Sequence, residues 1–423
     1  MKKIISLALC LIMLAALFTA CSDPNAHPDD NPDINLPGDD VISSPDTTTA
    51  TPETTPPPAE NEETLDPPPE YIEPDFPVSI KSSSTPHIAY QYSGGQLIST
   101  IIGPAIMTTN NTGVFLCKIP DCNHNFNTCP SRIASSSFLV EYDGGLVVYA
   151  VIQDRDASKD QGSTQMKLVR YDAEAGERIA LCDLPTSKVL DLMIYGDTLY
   201  YDCQLTSNAM DYPVTFYVNK KTGGEPVRLF GDKPYRLKDI VDDHYIYYKY
   251  DGVNARSGYY CIAPMSDPSA EVKLDEQKAW VMYSYQNIIY SIGLDLTVYR
   301  YDTADLANPT AVGSLKYFIT GETQYCVGQD GRLYYSTQRY VRDNPTETVP
   351  APVMCFNPVN GRLAEVKFPE DSIVTADYVL AVDNNIMYVC GNDKTDEFWV
   401  ISMDLATKEI VMYQKGLGIN LNR

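Results

Sequence analysis

The sequence predicts an all-β fold: a β-propeller of about seven four-stranded blades, preceded by a signal peptide and a disordered linker. Two observations support this prediction. From residue 86 onward, a turn rich in Gly, Asp or Asn repeatedly precedes a short run of Leu, Ile, Val and Tyr, and no stretch shows helical periodicity. The first Leu or Ile of each run serves as an anchor, and the anchors are Leu97, Leu146, Leu199, Ile246, Ile288, Leu333 and Ile386.

The spacing of these anchors is that of propeller blades. Successive anchors are 42 to 53 residues apart, and each is followed by further strand-like segments that complete four strands per repeat. A propeller blade packs against a neighbour on both faces, so its inner strands need not alternate apolar and polar residues. Adjacent tyrosines such as Tyr334 and Tyr335 fit this arrangement. We therefore expect the 31 tyrosines to form core, with a sugar-stacking surface as the alternative.

Residues 1–20 have the pattern of a lipoprotein signal peptide. Lys2 and Lys3 precede an apolar stretch from Ile4 to Phe18, which is too short to span a bilayer comfortably. Small residues then lead to Cys21, as in bacterial lipoproteins, in which this cysteine carries the lipid. Phe18 stands where Leu is usual, and secretion with an unmodified Cys21 is the alternative. We expect Cys21 to be the lipid attachment site.

Residues 21–80 follow as the lipidated cysteine and a disordered tether. Residues 22–80 contain 14 Pro and 15 Asp or Glu but no Lys or Arg. Such a segment cannot bury enough apolar surface to offset the entropy lost on ordering, and its prolines favour extension. In the polyproline limit it could reach roughly 180 Å. The predicted propeller then occupies residues 81–423.

The charge balance excludes one class of partner. The chain carries a formal net charge of −24, and without the signal peptide and tether about −11 remains on residues 81–423. An acidic surface of this kind argues against nucleic acid and against direct binding to anionic lipid. It does not identify a ligand.

The repeat also carries a family resemblance. The recurring LYY, followed by VRYDAEAG at 169–176 and VYRYDTAD at 298–305, resembles the YWTD-type propeller repeats of the LDL-receptor family. The repeats are still more similar to uncharacterised β-propeller lipoproteins of Gram-positive anaerobes. The resemblance covers roughly residues 86–414 and implies an exported binding or scaffold domain. It departs in number, because YWTD propellers have six blades and this chain has seven anchors.

No catalytic residue is predicted. The sequence contains no nucleophile-elbow, zinc-protease, P-loop or EF-hand motif. His87 and His244 lie at a predicted strand start and in a blade turn, where structural roles are expected. The paired carboxylates Asp242 and Asp243 are adjacent in a turn, a position that Asp favours for its backbone hydrogen bonds. Sites assembled from single residues on different blades remain the alternative.

The segment CKIPDCNHNFNTCP, residues 117–130, is the candidate metal site. Cys117, Cys122, His124 and Cys129 supply the three sulfurs and one nitrogen that zinc accepts in a tetrahedral structural site. Their spacing differs from the common pairs of cysteines two residues apart. A disulfide is the alternative because the protein is exported, and a turn without linkage is the third possibility. Structural zinc is the only cofactor that the sequence suggests.

The other cysteines and the long loops complete the candidate features. Six cysteines fall singly in predicted strands, which is typical of buried thiols: Cys182, Cys203, Cys261, Cys326, Cys355 and Cys390. The loops after the anchor strands are long in blades 2 and 6, at 153–165 and 336–352. Their residues Arg155, Arg339, Tyr340 and Arg342 are candidates for a ligand-binding rim, with tolerated insertions as the alternative.

Together these features predict a propeller outside the cytoplasm, anchored to a bacterial membrane through Cys21. We expect it to act as a binding or scaffold module for a protein or glycan ligand. The alternative is a propeller enzyme that acts on cell-wall or environmental glycan. A convergent cluster of Glu, Asp, Arg or His at the mouth of the central channel would favour the enzyme, and an apolar or tyrosine-lined rim would favour binding.

Overall fold

The computed structural model describes residues 80–81 and 89–421, apart from internal gaps of which the longest is 155–164. Contacts divide the chain into two units, Met1–Asn61 and Glu62–Arg423, and the described residues belong to the second unit. Every regular element among them is a β-strand. Within these ranges no helix is long and apolar enough to cross a bilayer. The signal peptide, Cys21 and nearly all of the tether lie outside the described residues.

Seven sheets, numbered here as blades in chain order, contain most of the described strands. Blade 1 contains β2 (Ala89–Tyr92), β3 (Gly95–Thr100), β4 (Gly103–Met107), β5 (Thr112–Phe115) and β32 (Asn420–Leu421). Blade 2 contains β6 (Phe138–Tyr142), β7 (Leu146–Asp154), β8 (Gln165–Asp172) and β9 (Glu177–Asp183). Blade 3 contains β1 (Ile80–Lys81), β10 (Val189–Tyr195), β11 (Thr198–Cys203), β12 (Val214–Asn219) and β13 (Gly223–Arg228).

The remaining blades repeat the four-stranded pattern. Blade 4 contains β14 (Tyr235–Val241), β15 (His244–Tyr250), β16 (Gly258–Pro264) and β17 (Val272–Lys273). Blade 5 contains β18 (Val281–Tyr285), β19 (Ile288–Ile292), β20 (Thr297–Asp302) and β21 (Asp305–Ser314). Blade 6 contains β22 (Gln324–Val327), β23 (Leu333–Ser336), β26 (Val353–Asn357) and β27 (Arg362–Val366). Blade 7 contains β28 (Thr375–Asp383), β29 (Ile386–Asn392), β30 (Phe398–Asp404) and β31 (Ile410–Lys415).

The sheet order confirms the repeat that the sequence predicted. In each blade the anchor residue lies on the second of four consecutive blade strands, from Leu97 on β3 to Ile386 on β29. The first strands of neighbouring blades contact one another in the pairs β6–β10, β14–β18, β18–β22, β22–β28 and β28–β2. The first strands therefore lie nearest the axis of the β-propeller, and the contact of β28 with β2 joins the last blade to the first.

The adjacent tyrosines pack as expected for blades that are buried on both faces. Tyr334 and Tyr335 are both fully buried, yet they belong to different hydrophobic clusters. Tyr334 packs with Met387 and its neighbours between blades 6 and 7, whereas Tyr335 packs with Phe356 between blades 5 and 6. Consecutive side chains of a strand point to opposite faces, so one dipeptide contributes to two interfaces between blades.

The two ends of blades 2 to 7 are named here for what they contain. The mouth end is the end at which the first and third strands begin. The turn end carries the turns that join the first strand to the second and the third strand to the fourth. This difference follows from the antiparallel order of each blade.

At the turn end, aspartates of one blade bind its neighbours. The turn of blade 4 holds Asp242 and Asp243 at φ 49° and 54°, a conformation that Asp tolerates better than most residues. Tyr195 of blade 3 donates to Asp243 Oδ1 at 2.6 Å, and Thr303 of blade 5 donates to Asp242 Oδ2 at 2.9 Å. These carboxylates join three blades, whereas the sequence predicted only local backbone hydrogen bonds for this turn.

A buried ion pair joins blades 2 and 3 at the same end. Lys220, in the turn after β12, binds Glu141 of β6, and both residues are at most 9% exposed. Tyr149 also donates to Glu141, at 3.0 Å. The charge of Glu141 is therefore matched by a cation and a hydroxyl inside the protein.

Strands from both chain ends add to the blades. β1 pairs antiparallel with β10, with Ile80 opposite Ile194 and Lys81 opposite Met193. Because β10 runs from the mouth end to the turn end, β1 runs from the turn end towards the mouth end. β32 pairs in parallel with β5 in blade 1. A two-stranded hairpin, β24 (Tyr340–Val341) with β25 (Thr348–Val349), is inserted between β23 and β26.

Candidate functional site

A charged cluster lies at the mouth end of blades 3 and 4. Arg236 of β14 donates from Nε to Asp202 Oδ2 at 2.5 Å, and its Nη2 lies 3.8 Å from Asp191 Oδ2. Thr215 donates to the other oxygen of Asp202 at 2.6 Å and accepts from the backbone NH of Leu237 at 2.9 Å. The cluster of Asp191, Asp202 and Arg236 is thus fixed by hydrogen bonds from two adjacent blades.

Electrostatics keep this guanidinium charged. Burial by itself lowers the pKa of Arg236, but the adjacent carboxylates of Asp202 and Asp191 outweigh it, so that the pKa lies above its ordinary value. Both oxygens of Asp202 are already hydrogen bonded. Because its oxygens are occupied, this carboxylate is poorly suited to proton transfer. The fixed pattern of charges is better suited to the recognition of polar groups on a ligand.

β-bulges in the first strands accompany the inward-facing carboxylates. The register of β10 skips Leu190 immediately before Asp191, and that of β14 skips Lys238 immediately before Asp239. In both cases the aspartate accepts from the next backbone NH, at 3.1 Å in blade 3 and 2.8 Å in blade 4. A bulge turns a side chain relative to the regular pleat, so these two aspartates depart from the alternation of their strands.

Aromatic side chains lie beside the charged cluster. The ring of Tyr250 stacks on Tyr212, with centroids 6.0 Å apart, and meets Tyr248 edge to face at 5.0 Å. Tyr248 in turn meets Tyr260 edge to face at 5.0 Å. Burial raises the pKa of Tyr250, and Arg236 opposes this shift in part. These four tyrosines are half-buried and lie at the mouth end of blades 3 and 4.

Three large side chains are exposed at the mouth end of blades 5 and 6. Trp280 precedes β18 and is 50% exposed, Leu294 follows β19 and is 45% exposed, and Tyr325 of β22 is 37% exposed. The backbone NH groups of Trp280 and Leu294 bond to Ile292 and Gln277 at 3.1 and 2.9 Å, so the loop that presents them is ordered. We call these three residues the exposed patch.

Tyr325 connects the exposed patch to the charged residues. Although more than a third of its surface is accessible, it lies on a first strand near the axis, and burial raises its pKa. Asp191 and Asp239 raise it further, to about 12. Its phenol therefore stays protonated at neutral pH. The mouth end thus combines aromatic faces, a charged guanidinium and carboxylates on blades 3 to 6.

The rim that loop length predicted belongs to the connections between the second and third strands of blades 2 and 6. Arg155, Arg339 and Arg342 fall outside the described residues. Tyr340 lies in β24 opposite Val349, and the described structure does not extend to its side chain. The rim therefore stays a prediction. Sequence reasoning missed Asp191, Arg236 and Trp280; the available signals were the charged residues inside two first strands, VLDLMIY and YRLKDIV, and one of only two tryptophans in the chain.

The structure brings three of the four predicted metal ligands together. The Sγ atoms of Cys117, Cys122 and Cys129 lie within 4.8 Å of one another, and the described cysteines form no disulfide. His124 lies outside the described residues. Burial chiefly raises the pKa of Cys117, to about 11, with smaller contributions from the neighbouring thiols. Cys129 is fully buried, and its sulfur is 3.2 Å from Ser131 Oγ.

The other histidines and cysteines agree with structural roles where they are described. His244 Nδ1 lies 2.6 Å from the carbonyl oxygen of Asp242 in the blade 4 turn, whereas His87 is outside the described residues. All six single cysteines lie in strands. Cys326 is half-buried. Four of the others are buried: Cys182, Cys203, Cys261 and Cys355.

Comparisons with known proteins add little beyond the architecture. No protein-family model matches the chain, and no curated protein is significantly similar to it. Solved structures that align with it include a puromycin-hydrolysing peptidase of Mycobacterium tuberculosis, at 13% identity and a TM-score of 0.49 over 78% of this chain. The chain spans about half of that peptidase, 52% of its length.

Two further structures align over about two thirds of the chain. The β-propeller domain of the Trilobed protease from Pyrococcus furiosus matches at 10% identity and a TM-score of 0.37, over 66% of this chain and 93% of that domain. TolB from Acinetobacter baumannii matches at 10% identity and a TM-score of 0.32, over 64% and 68% of the two chains. At such identities no activity is transferred, and the site must be interpreted from its own residues.

Proposed function

We propose that this protein is exported, is attached to a bacterial membrane by a lipid on Cys21, and acts as a binding module whose ligand docks at the mouth end of the propeller. The ligand that the surface favours is a protein. The exposed patch carries this proposal, because Trp280, Leu294 and Tyr325 offer large apolar surfaces at the same end of the propeller as Arg236. Trp, Tyr and Arg are the residue types that contribute most binding energy at protein interfaces.

The charged cluster supports binding over catalysis. Asp202 is engaged by Arg236 and Thr215, and Asp239 by Ser284 and a backbone NH. A carboxylate with such partners is held as a fixed anion, which gives specificity and orientation to an interface. A glycan-cleaving enzyme would also need carboxylates that lie close together. Cleavage of a glycan is therefore the alternative function.

The anchor is tested by Cys21→Ala. We expect the variant to leave the membrane fraction, or to accumulate with its signal peptide uncleaved, because an attached acyl chain contributes about 0.8 kcal/mol per buried methylene to membrane binding. Fractionation and intact-mass analysis measure this. A correctly processed variant that partitions into membranes as the wild type does would refute the anchor.

The binding site is tested by Trp280→Ala. The matched control is Val359→Ala, because Val359 is 70% exposed at the turn end of blade 6. We expect an envelope protein to co-purify with the wild type and with the control but not with Trp280→Ala. All three chains should unfold at the same midpoint. Equal recovery with all three chains would contradict the proposal. The wild type and Asp202→Asn are also incubated with purified cell-wall glycan. If the wild type releases reducing ends and the variant does not, the protein is an enzyme and the binding proposal is wrong.

A further inference from the structure

The three cysteines of the segment after β5 have the geometry of a metal site. In a tetrahedral zinc site with Zn–S distances of about 2.3 Å, the sulfurs are about 3.8 Å apart. The three sulfurs here are already within 4.8 Å of one another, so that small side-chain rotations suffice to place all of them around one ion. A disulfide needs two sulfurs at about 2.05 Å and would exclude the third from the cluster.

The chain on both sides of the cluster is fixed to blade 2. Leu116 accepts a hydrogen bond from the hydroxyl of Tyr171, and both Leu116 and Ile133 pack into the hydrophobic cluster of blade 2. Arg178 donates to the carbonyl oxygen of Pro130 at 3.5 Å. The sulfurs are therefore positioned by contacts that do not depend on a metal, which reduces the entropic cost of binding one.

A buried hydroxyl lies beside the sulfur cluster. Ser131, which is fully buried beside Cys129, supplies a hydroxyl that can donate to its sulfur.

We propose that Cys117, Cys122 and Cys129 bind a thiophilic divalent cation, zinc in the cell, and that the metal fastens the connection between blades 1 and 2 to the turn end of blade 2. Binding displaces one proton from each of the three thiols. The described residues supply three of the four ligands that zinc takes in structural sites. The role is structural and is independent of the ligand proposed for the mouth end.

The test uses the full-length protein, purified from membranes in detergent without chelator. We expect about one zinc ion per chain by elemental analysis, and cobalt added after zinc removal should produce a thiolate-to-cobalt charge-transfer band. The variant with Cys117, Cys122 and Cys129 all changed to Ala should lose both signals. The control Cys261→Ala, which removes a fully buried thiol from blade 4, should keep them.

Two readouts keep the proposal falsifiable if the triple variant does not fold. Cys122→Ala, at a half-buried position, should lower the zinc content at least severalfold in folded protein. Alkylation of the denatured wild type after metal removal should modify all three cysteines. Modification of only one of them together with a mass lower by about 2 Da would establish a disulfide. That result, or wild-type protein that binds neither zinc nor cobalt, would overturn the proposal.

Discussion

The two ends of the propeller use the same residue types for different purposes. At the turn end, Asp242, Asp243 and Glu141 are each bonded to a residue of a neighbouring blade, and the exposed turns are short. At the mouth end, the carboxylates surround Arg236, and Trp280 is half exposed. Aspartates thus join neighbouring blades at both ends, whereas the exposed aromatic side chains Trp280 and Tyr325 lie at the mouth end.

The difference follows from the topology of the blades. Tight turns between consecutive strands bring each turn end close to the next blade, so that polar side chains there find partners within the protein. The connections between the second and third strands lie at the mouth end, and most of them are longer than the turns at the other end. Composition alone therefore does not reveal at which end an aspartate lies.

The largest effect is expected from breaking the buried ion pair at the turn end. Lys220→Ala leaves the carboxylate of Glu141 without its cation in a site that is at most 9% exposed. We expect a loss of about 3–5 kcal/mol in the free energy of unfolding. Urea denaturation followed by tyrosine fluorescence measures it.

Lys221→Ala is the matched control for this variant. Lys221 is the next residue and is exposed, so its substitution should change the free energy of unfolding by no more than about 0.5 kcal/mol. The double variant Lys220→Met/Glu141→Gln removes both charges and should recover most of the stability. If Lys220→Ala unfolds like the control, the turn end does not depend on this pair.

A smaller effect is expected from Asp243→Ala. The substitution removes the acceptor of the 2.6 Å hydrogen bond from Tyr195 and places an alanine at φ 54°. We expect a loss of about 2 kcal/mol, of which roughly half comes from each cause. Asp243→Asn keeps an acceptor and tolerates this φ, so it should lose less than half as much. Equal losses for both variants would show that the hydrogen bond between blades contributes little.

The smallest effect concerns the outer edge of blade 4. Burial raises the pKa of Glu271, but hydrogen bonds from Lys249 and Tyr247 outweigh it and hold the pKa below its ordinary 4.5. The resulting stability is present at neutral pH and is lost as the pH falls through the lowered pKa. Glu271→Gln should therefore be less stable than wild type at pH 7, by less than about 1 kcal/mol, and the difference should vanish near pH 3.

Glu276→Gln is the control for this pH dependence. Glu276 forms an ion pair with Lys273 at 2.7 Å, but both side chains are about half exposed. Its substitution should leave the stability nearly unchanged at both pH values. A difference between Glu271→Gln and wild type that persists at pH 3 would mean that the stabilisation is not electrostatic.

The fold was predictable because its signal is repeated and local. The spacing of the seven anchors indicates the length of one blade, and the adjacent tyrosines indicate that each blade is buried on both faces. Both patterns can be recognised without knowing which blades are neighbours. The cysteine cluster was predictable for the same reason, since Cys117, Cys122 and Cys129 are close in sequence and required only a turn to meet. Its fourth predicted ligand, His124, lies outside the described residues.

The mouth end was not predictable in the same way. Asp202 and Arg236 are 34 residues apart and meet only because blades 3 and 4 are adjacent. Trp280 is 50% exposed, whereas a hydrophobic residue next to a strand is ordinarily expected in the core. Loop length instead directed the prediction to Arg155 and Arg342, on blades 2 and 6.

A photo-crosslinking measurement tests the central claim, that the mouth end binds and the turn end does not. A benzophenone amino acid is incorporated at position 280 in one chain and at position 359 in another, and intact cells are irradiated. The two positions are 50% and 70% exposed, so accessibility alone favours the turn end. We predict a discrete crosslinked protein from position 280 and none from position 359. The same adducts from both positions, or adducts from position 359 alone, would contradict this assignment.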